Sequence, residues 1–228
     1  MLRRMITVHH LNNSRSQRVL WLLEELALPY EIVRYQRDAK TMLAPPELRA
    51  IHPLGKSPVV TDDGRTVAES GAIIEYLLEQ HGKGRLEPAP GTDERLRFRY
   101  FLHYAEGSIM PLMVMTLVIG QMPRAPMPFF VKPVAKALAE GVRKSYLKPQ
   151  TETHLRFVES ELAARPWFAG AEFTAADVQM SFPLEAAGAR AGLDASKYPN
   201  TVGWLARIHA RPAYQRALQK GGKFELGA

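Results

Sequence analysis

A proline heads an apolar run in this chain, Ser57-Pro58-Val59-Val60, and it limits what that run can become. Within a sheet a proline removes a ladder donor, so it is tolerated only at the start or edge of a strand. It also drives the preceding residue into an extended conformation. The run therefore reads as a short strand, and Asp62-Asp63-Gly64 reads as a hairpin turn into a second strand over Thr66 to Ala68. A cis bond at Ser57–Pro58, uncommon and usually purposeful, would turn the Ser57 backbone outward. Glu69-Ser70 then opens a helix to His81, whose N-terminal amides and dipole suit a carboxylate. An exposed backbone edge beside such an anion site is suited to gripping a small peptide.

Upstream the pattern alternates. Met5 to His10 reads as a strand, and Ser14 to Ala27 as an amphipathic helix with Val19, Leu22, Leu23 and Leu26 at helical spacing. Tyr30 to Tyr35 is a second strand, followed by a short helix through Glu47 to Ile51. A β-α-β unit joined to a β-β-α unit predicts a four-stranded mixed sheet with helices packed on it. The Gly/Pro-rich stretch Gly82 to Gly91 reads as a linker, and beyond it the pattern is helical. Helices are expected over Thr92 to Gln121, Ala135 to Ala164 with a break near Pro149, Thr174 to Ala187, Thr201 to Ala210 and Ala213 to Lys220. Pro123, Pro126, Pro128 and Pro133 forbid helix between the first two. The expected organisation is an α/β domain over 1–83, a linker over 84–91 and an all-α domain over 92–228.

Composition removes several classes of function. The chain has 228 residues, 46% of them apolar, and no cysteine, so disulfides, thiolate metal sites and cysteine nucleophiles are excluded together. Its formal charge of +7 is scattered and paired with acids rather than gathered into blocks, which argues against nucleic acid and suits an anionic small molecule. The seven histidines give no metal spacing, and His9 and His10 should point to opposite faces of their strand. No G-x-S-x-G elbow, Walker loop or dinucleotide fingerprint is present. Met1 to Arg4 is followed by no signal-type apolar stretch and nothing approaches a membrane span, so a soluble, cytoplasmic protein is expected.

Four pieces occur in order: Ser14 with Arg18 four residues later, His52-Pro53-Leu54-Gly55-Lys56-Ser57-Pro58, Glu69-Ser70, and Phe173-Thr174-Ala175-Ala176-Asp177. Together they resemble the cytosolic glutathione S-transferases, in particular bacterial members of the serine type. The resemblance implies a thioredoxin-like N-terminal domain, an all-helical C-terminal domain, a cis Pro58 and a homodimer. It also implies glutathione as co-substrate, a small hydrophobic electrophile as second substrate, and no metal. The Cys-x-x-Cys of a redox thioredoxin is missing, so protein thiols cannot exchange disulfides here.

The resemblance carries roles onto particular residues. Ser14 would hold the glutathione thiolate; by local pattern alone Ser14 and Gln17 fit an S-x-x-Q capping box. Asn13 or Arg15 could reach the sulfur instead. Ser57 would present its main chain to the cysteinyl part beside Pro58, Glu69 would face the ligand ammonium, and Ser70 would hold the α-carboxylate or simply cap its helix. Lys56 or Lys40 would hold the glycyl carboxylate. Tyr104, Met113 and Phe129, from a methionine-rich helix and the proline-rich connection after it, would face the electrophile, while Glu106 would face the γ-glutamyl end or a partner subunit. Thr174 to Asp177 reads as a structural cap with Phe173 and Val178 as its hydrophobic staple. A glutathione-dependent peroxidase or dehalogenase on the same scaffold, and a non-catalytic binding or assembly protein, are the competing functions.

Overall fold

The computed structural model describes residues 5–222 and 224–226. The N-terminal part contains strands β1 (Ile6–Leu11), β2 (Tyr30–Tyr35), β3 (Val59–Asp62) and β4 (Arg65–Ala68), and helices α1 (Ser16–Glu25), α2 (Pro46–Ile51) and α3 (Ser70–Leu77). The sheet order is β2-β1-β3-β4. β1 runs parallel to β2 and antiparallel to β3, which pairs antiparallel with β4. This is the thioredoxin-like arrangement and the mixed sheet that the alternating pattern predicts. Pro58 precedes β3 on a cis peptide bond, outside the ladder where its missing N–H is not needed.

Helix α1 differs from its predicted form. The spacing predicts a single apolar face, yet every residue from Ser16 to Glu24 is buried. The reason is tertiary: α1 lies against the sheet on one side and against two C-terminal helices, α8 (Ala175–Arg190) and α10 (Pro212–Gly221), on the other. Its glutamates survive burial because they are paired. Glu24 receives Arg216 at 2.7 Å, Lys220 at 2.5 Å and the Tyr30 hydroxyl at 2.7 Å, and Glu25 receives the Arg211 guanidinium at 2.6 and 2.9 Å. The ring of Trp21 packs edge-on to Tyr214, 5.1 Å between centroids.

In the C-terminal part, α4 (Asp93–Tyr104) passes through one wide turn at Ala105–Ile109 into α5 (Met110–Gln121), making a single long rod. By length and composition this rod, Asp93–Arg124, is apolar enough to cross a membrane, contrary to the sequence expectation. It packs against α8 and carries Glu106 in an ion-paired cluster with Arg15 and Arg18. A second rod joins α6 (Lys132–Val142), a wide turn at Arg143–Leu147, and α7 (Lys148–Ala164). The break expected near Pro149 does not occur, because Pro149 falls in the first turn of α7, where no partner for its missing N–H is required. Helix α9 (Pro199–His209) follows α8.

Burial lowers the pKa of His9, His10 and His154 below the usual 6.5, with Arg34 adding to the effect at His10. The unfolded chain then binds more protons than the folded one as pH drops below 6.5, so acidification through that value removes stability. The contribution of these rings to stability is expected to fall between pH 7 and pH 5.5, against the opposite contribution of Asp177 in that window; NMR titration of the imidazoles checks it, and rings that protonate at or above 6.5 would contradict their burial as neutral groups.

Candidate active site

A cavity of about 380 Å³ opens where the end of β1, the turn before β3 and the start of α3 meet the inner faces of the α4–α5 rod and α8. Its walls include Asn13, Ser14, Arg15, Lys56, Ser57 and Pro58 from the first two of these, and Glu69 and Ser70 from the third. The structure thus brings together residues that lie up to 57 positions apart in the chain. A larger cavity, about 470 Å³, lies between α5, α7 and the end of α8 and contains none of them. Size does not choose between the two. Convergent polar groups and strained backbone do, and both are found at the smaller one.

Ser14 is buried, 4% exposed, and is not the cap of α1; that position is taken by Arg15, whose side chain makes no cap bond. The capping-box alternative is therefore not formed. The Ser14 hydroxyl instead sits in a hydroxyl cluster, 2.7 Å from Ser16 Oγ and 3.2 Å from Ser57 Oγ. Ser57 donates its own hydroxyl proton to the His9 carbonyl and accepts from the Leu11 amide. This side-chain bracing of β1 against the cis-proline turn leaves the Ser57 main chain without a hydrogen bond among the described residues.

At the start of α3, Glu69 is exposed and held at φ 71°, in the left-handed region that side chains rarely adopt. Strain of this kind persists where the surroundings impose it, and it clusters at ligand sites. Ser70 is buried and its hydroxyl accepts from Arg18 Nη2 at 3.2 Å. Arg18 is fully buried; it also donates to the Gln179 carbonyl at 2.6 Å and pairs with Glu106. Glu106 in turn receives Arg15 at 2.9 Å. Burial opposes charge on Glu106, but the Arg18 and Arg15 guanidiniums hold its carboxyl below the usual range. Arg18 is the hub that fixes Ser70, α8 and the long rod relative to α1, so its place in the motif is structural.

Other predicted residues lie elsewhere. Lys40 is exposed, with its backbone bonded to Asp38, and does not reach the cavity. Arg37 lines the wall in its stead, its guanidinium held by the carbonyls of Asn12 and Met42. Nothing in the sequence around Arg37 marked it, because its approach depends on how the loop after β2 returns. Asn13 lines the cavity at φ 49°, and its side-chain oxygen accepts from the Glu225 amide. Tyr104 is buried against α7, its hydroxyl 2.6 Å from His154, and Met113 is wholly buried in the helical core. Phe129 is 83% exposed and packs on Phe130 in the connection between the rods. These three do not converge on the cavity. Phe182 of α8, beneath the Arg15 and Arg18 guanidiniums at 5.3 Å, is the aromatic that does.

A thioredoxin-like domain with a cis-proline loop, joined to an all-helical domain that closes one side of the cavity, defines a recognised two-domain class. Residues 4–79 match the family described as glutathione S-transferase, N-terminal domain, and residues 110–212 that described as glutathione S-transferase, C-terminal domain. Glutathione S-transferase 3 of Schizosaccharomyces pombe is 38% identical over 221 residues, covering 95% of this chain and 88% of its own. The crystal structure of a glutathione S-transferase from Actinobacillus pleuropneumoniae superposes with a TM-score of 0.78 at 33% identity, covering 97% and 95% of the two chains. A sphingomonad glutathione S-transferase complexed with glutathione matches with a TM-score of 0.72 at 25% identity, over 95% and 98%. The chain belongs to the glutathione S-transferase family and is an enzyme of that family.

Proposed function

We propose that the cavity binds glutathione and that Ser14 stabilises its thiolate for attack on hydrophobic electrophiles, a serine-type transferase mechanism. The observation carrying this reading is the Ser14 hydroxyl, which lies outside the cap position of α1, accepts from the Ser16 amide at 3.3 Å and lines the same cavity as the strained Glu69 and the amide end of α3. The γ-glutamyl end would lie at α3, its ammonium on the Glu69 carboxylate and its α-carboxylate on the Ser70 amide and hydroxyl. The cysteinyl segment would pair with the free main chain of Ser57 beside Pro58. At the far end Lys56 and Arg37 supply the cations that a glycyl carboxylate needs. Lys40 is one loop turn further out and serves, on this reading, only as a distant positive charge.

The chemistry follows from the free thiol pKa of about 8.5. A hydroxyl donating to sulfur favours the charged form, and a shift of two units needs only ~2.7 kcal/mol of differential stabilisation. Arg15 lines the cavity within the Arg15–Glu106 pair, and Asn13 lies beside Ser14, so both add polarity near the sulfur. The electrophile would approach over Phe182, Met42 and Leu54, the apolar groups of this cavity.

A homodimer is part of the same proposal. The two helical rods expose Leu96, Tyr100, Val118, Val134 and Leu138, at 49–70% of full exposure, and an apolar stripe of this kind suits a second copy of the chain. Cytoplasmic detoxification of electrophiles is the accompanying role.

The test is an ultraviolet difference titration of the bound thiol, in wild type and Ser14→Ala. A wild-type thiol pKa well below the free value, returned upward by the substitution, is the expected result. Glutathione bound with an unshifted thiol would favour the non-catalytic binding protein. A depressed thiol pKa indifferent to Ser14→Ala would move the role to Asn13, Arg15 or the helix backbone.

A further inference from the structure

Ser14 does not end the hydrogen-bond chain that begins at the cavity. Its hydroxyl oxygen lies 2.7 Å from Ser16 Oγ, and Ser16 Oγ lies 2.8 Å from Nδ1 of His10. All three residues are buried: Ser14 is 4% exposed, Ser16 0% and His10 6%. The chain therefore leads from the cavity wall into the protein with no gap wide enough for water.

The remaining partners assign its protons. The ring of His10 also bonds the backbone of Gly221 at the end of α10; with Nδ1 facing Ser16, the N–H toward that carbonyl is on Nε2. Nδ1 of the neutral ring thus carries a lone pair, and the Ser16 hydroxyl donates to it. Ser16 Oγ is then left as an acceptor for Ser14, whose hydroxyl also accepts from the Ser16 amide at 3.3 Å and has Ser57 Oγ, at 3.2 Å, as its other acceptor. The charged group facing the ring from β2 is Arg34, while α1 presents Ser16 and Gln17 and the end of α10 presents the Gly221 backbone. No carboxylate stands beside His10 among these, and burial together with Arg34 disfavours charge on the ring, so the resting ring is neutral and a proton on it depends on the thiolate formed at the other end of the hydroxyl chain.

We propose that Ser14, Ser16 and His10 form a proton relay that carries the thiol proton of bound glutathione to Nδ1 of His10. The inference rests on the reading of Ser14 as the thiolate partner. In the step the S–H bond breaks and its electron pair stays on sulfur. The proton passes to Ser14 Oγ, the Ser14 proton passes to Ser16 Oγ, and the Ser16 proton passes to His10 Nδ1. A neutral thiol and a neutral imidazole become a thiolate and an imidazolium, and no other reactant is consumed. The shift also reverses the polarity of the chain. Afterwards His10 donates to Ser16, Ser16 donates to Ser14, and the Ser14 hydroxyl keeps the former thiol proton aimed at the sulfur. When the thiolate is consumed the imidazolium loses its counter-charge, and the same hydroxyls return the proton to the cavity. His10 is a positioning residue in this scheme: it acts on sulfur only through two serines.

Local packing supports the arrangement. An added Cβ at Gly221 would stand 2.7 Å from the Gln17 side chain, 2.9 Å from Leu20 and 3.6 Å from Cε1 of His10. Glycine there is what lets the end of α10 close against Gln17 and Leu20 of α1, with the imidazole in ordinary contact beside them.

The experiment uses the full chain with glutathione itself. Nitrogen-15 NMR of the imidazoles at pH 7 reads the protonation state of His10 with and without saturating glutathione, and ultraviolet titration reads the bound thiol. Saturation is expected to convert His10 from the neutral to the doubly protonated form in wild type but not in Ser16→Ala. Ser16→Ala and His10→Asn are expected to reduce the thiolate-to-thiol ratio at pH 7 about tenfold, one unit of thiol pKa, with glutathione affinity within about threefold of wild type. Ser16→Ala deletes one oxygen and keeps the test valid if His10→Asn does not fold. A His10 that stays neutral while thiolate forms, or a thiol pKa untouched by Ser16→Ala, overturns the relay. If Ser14→Ala still raises the thiol pKa in that case, only the relay is lost; if Ser14→Ala changes nothing, the Ser14 reading falls and the relay with it.

Discussion

Asp177→Ala is expected to destabilise the fold by ~3–5 kcal/mol, because up to three buried N–H donors lose their acceptor at ~1–3 kcal/mol each. The carboxylate of Asp177 is wholly buried at the start of α8. Its Oδ1 accepts from the Phe168 amide at 3.1 Å and from Trp204 Nε1 at 3.0 Å, and its Oδ2 from the Thr174 amide at 3.0 Å. One side chain therefore closes the reciprocal cap of α8, fastens the turn before it and anchors α9 through Trp204. Burial pushes its carboxyl up to about 6, while the donors from Thr174, Phe168 and Trp204 oppose that rise. The folded pKa lies above the unfolded 3.8, so this group adds stability at low pH that is lost as pH rises through about 6. It is ionised at neutral pH all the same, and the N–H donors are what make that tolerable. Asp177→Asn would remove the charge but set an amide N–H₂ against one of these donors, so it should recover only part of the loss. Urea denaturation followed by tryptophan fluorescence measures both variants; a change below ~1 kcal/mol for alanine would mean that the donors find other acceptors.

The second large effect is on rate. Ser14→Ala is expected to lower kcat/KM at pH 6.5 about fiftyfold, which corresponds to a two-unit rise in the bound thiol pKa from about 6.5 to the free value. Glutathione affinity should stay within about threefold, since Ser57, Glu69 and Ser70 are untouched. The deficit must also shrink as the assay pH approaches 9, where a thiol of ordinary pKa ionises without help. A pH-independent loss would mean that Ser14 positions the electrophile or the peptide rather than the sulfur. The two variants also separate roles: neither Asp177 nor its partners Phe168, Thr174 and Trp204 line the cavity, so Asp177→Ala should change stability far more than the rate of the folded enzyme.

Much of this protein is legible in its residues because the information is local. The period-two run from Ile6, the proline before Val59, and the Asp63-Gly64 turn specify β1, β3 and β4 through pleat, lost donor and turn geometry. The cap at Thr174 and Asp177 was equally readable, since a capping box is complete within four residues. The residues around the turn at Ser57–Pro58 and the pair Glu69-Ser70 reached one cavity as the motif order implied.

Where sequence misled, partners distant in the chain decided the outcome. Ser14 and Gln17 have capping-box spacing, but the Ser14 hydroxyl is claimed by Ser16 and Ser57, the latter arriving from the turn before β3. Helix α1 looks one-sided on a wheel and is buried all round, because α10, nearly 190 positions later, supplies Arg211, Arg216 and Lys220 to its glutamates. Tyr104 and Met113 share an apolar stretch with no signal for direction, and the packing of α7 and α8 turned them into the core. His9 and His10 were assigned opposite faces by strand alternation alone; that His10 meets Ser16 beneath the site was decided by α1 and by the close approach of Gly221. By itself the sequence determined the elements, their order and the residue types that can hold a peptide and a thiolate, since these depend on periodicity, caps and turns. Only the tertiary structure decided which cation, aromatic and histidine stand at the site, since a side chain's surroundings come from segments whose return no local pattern encodes.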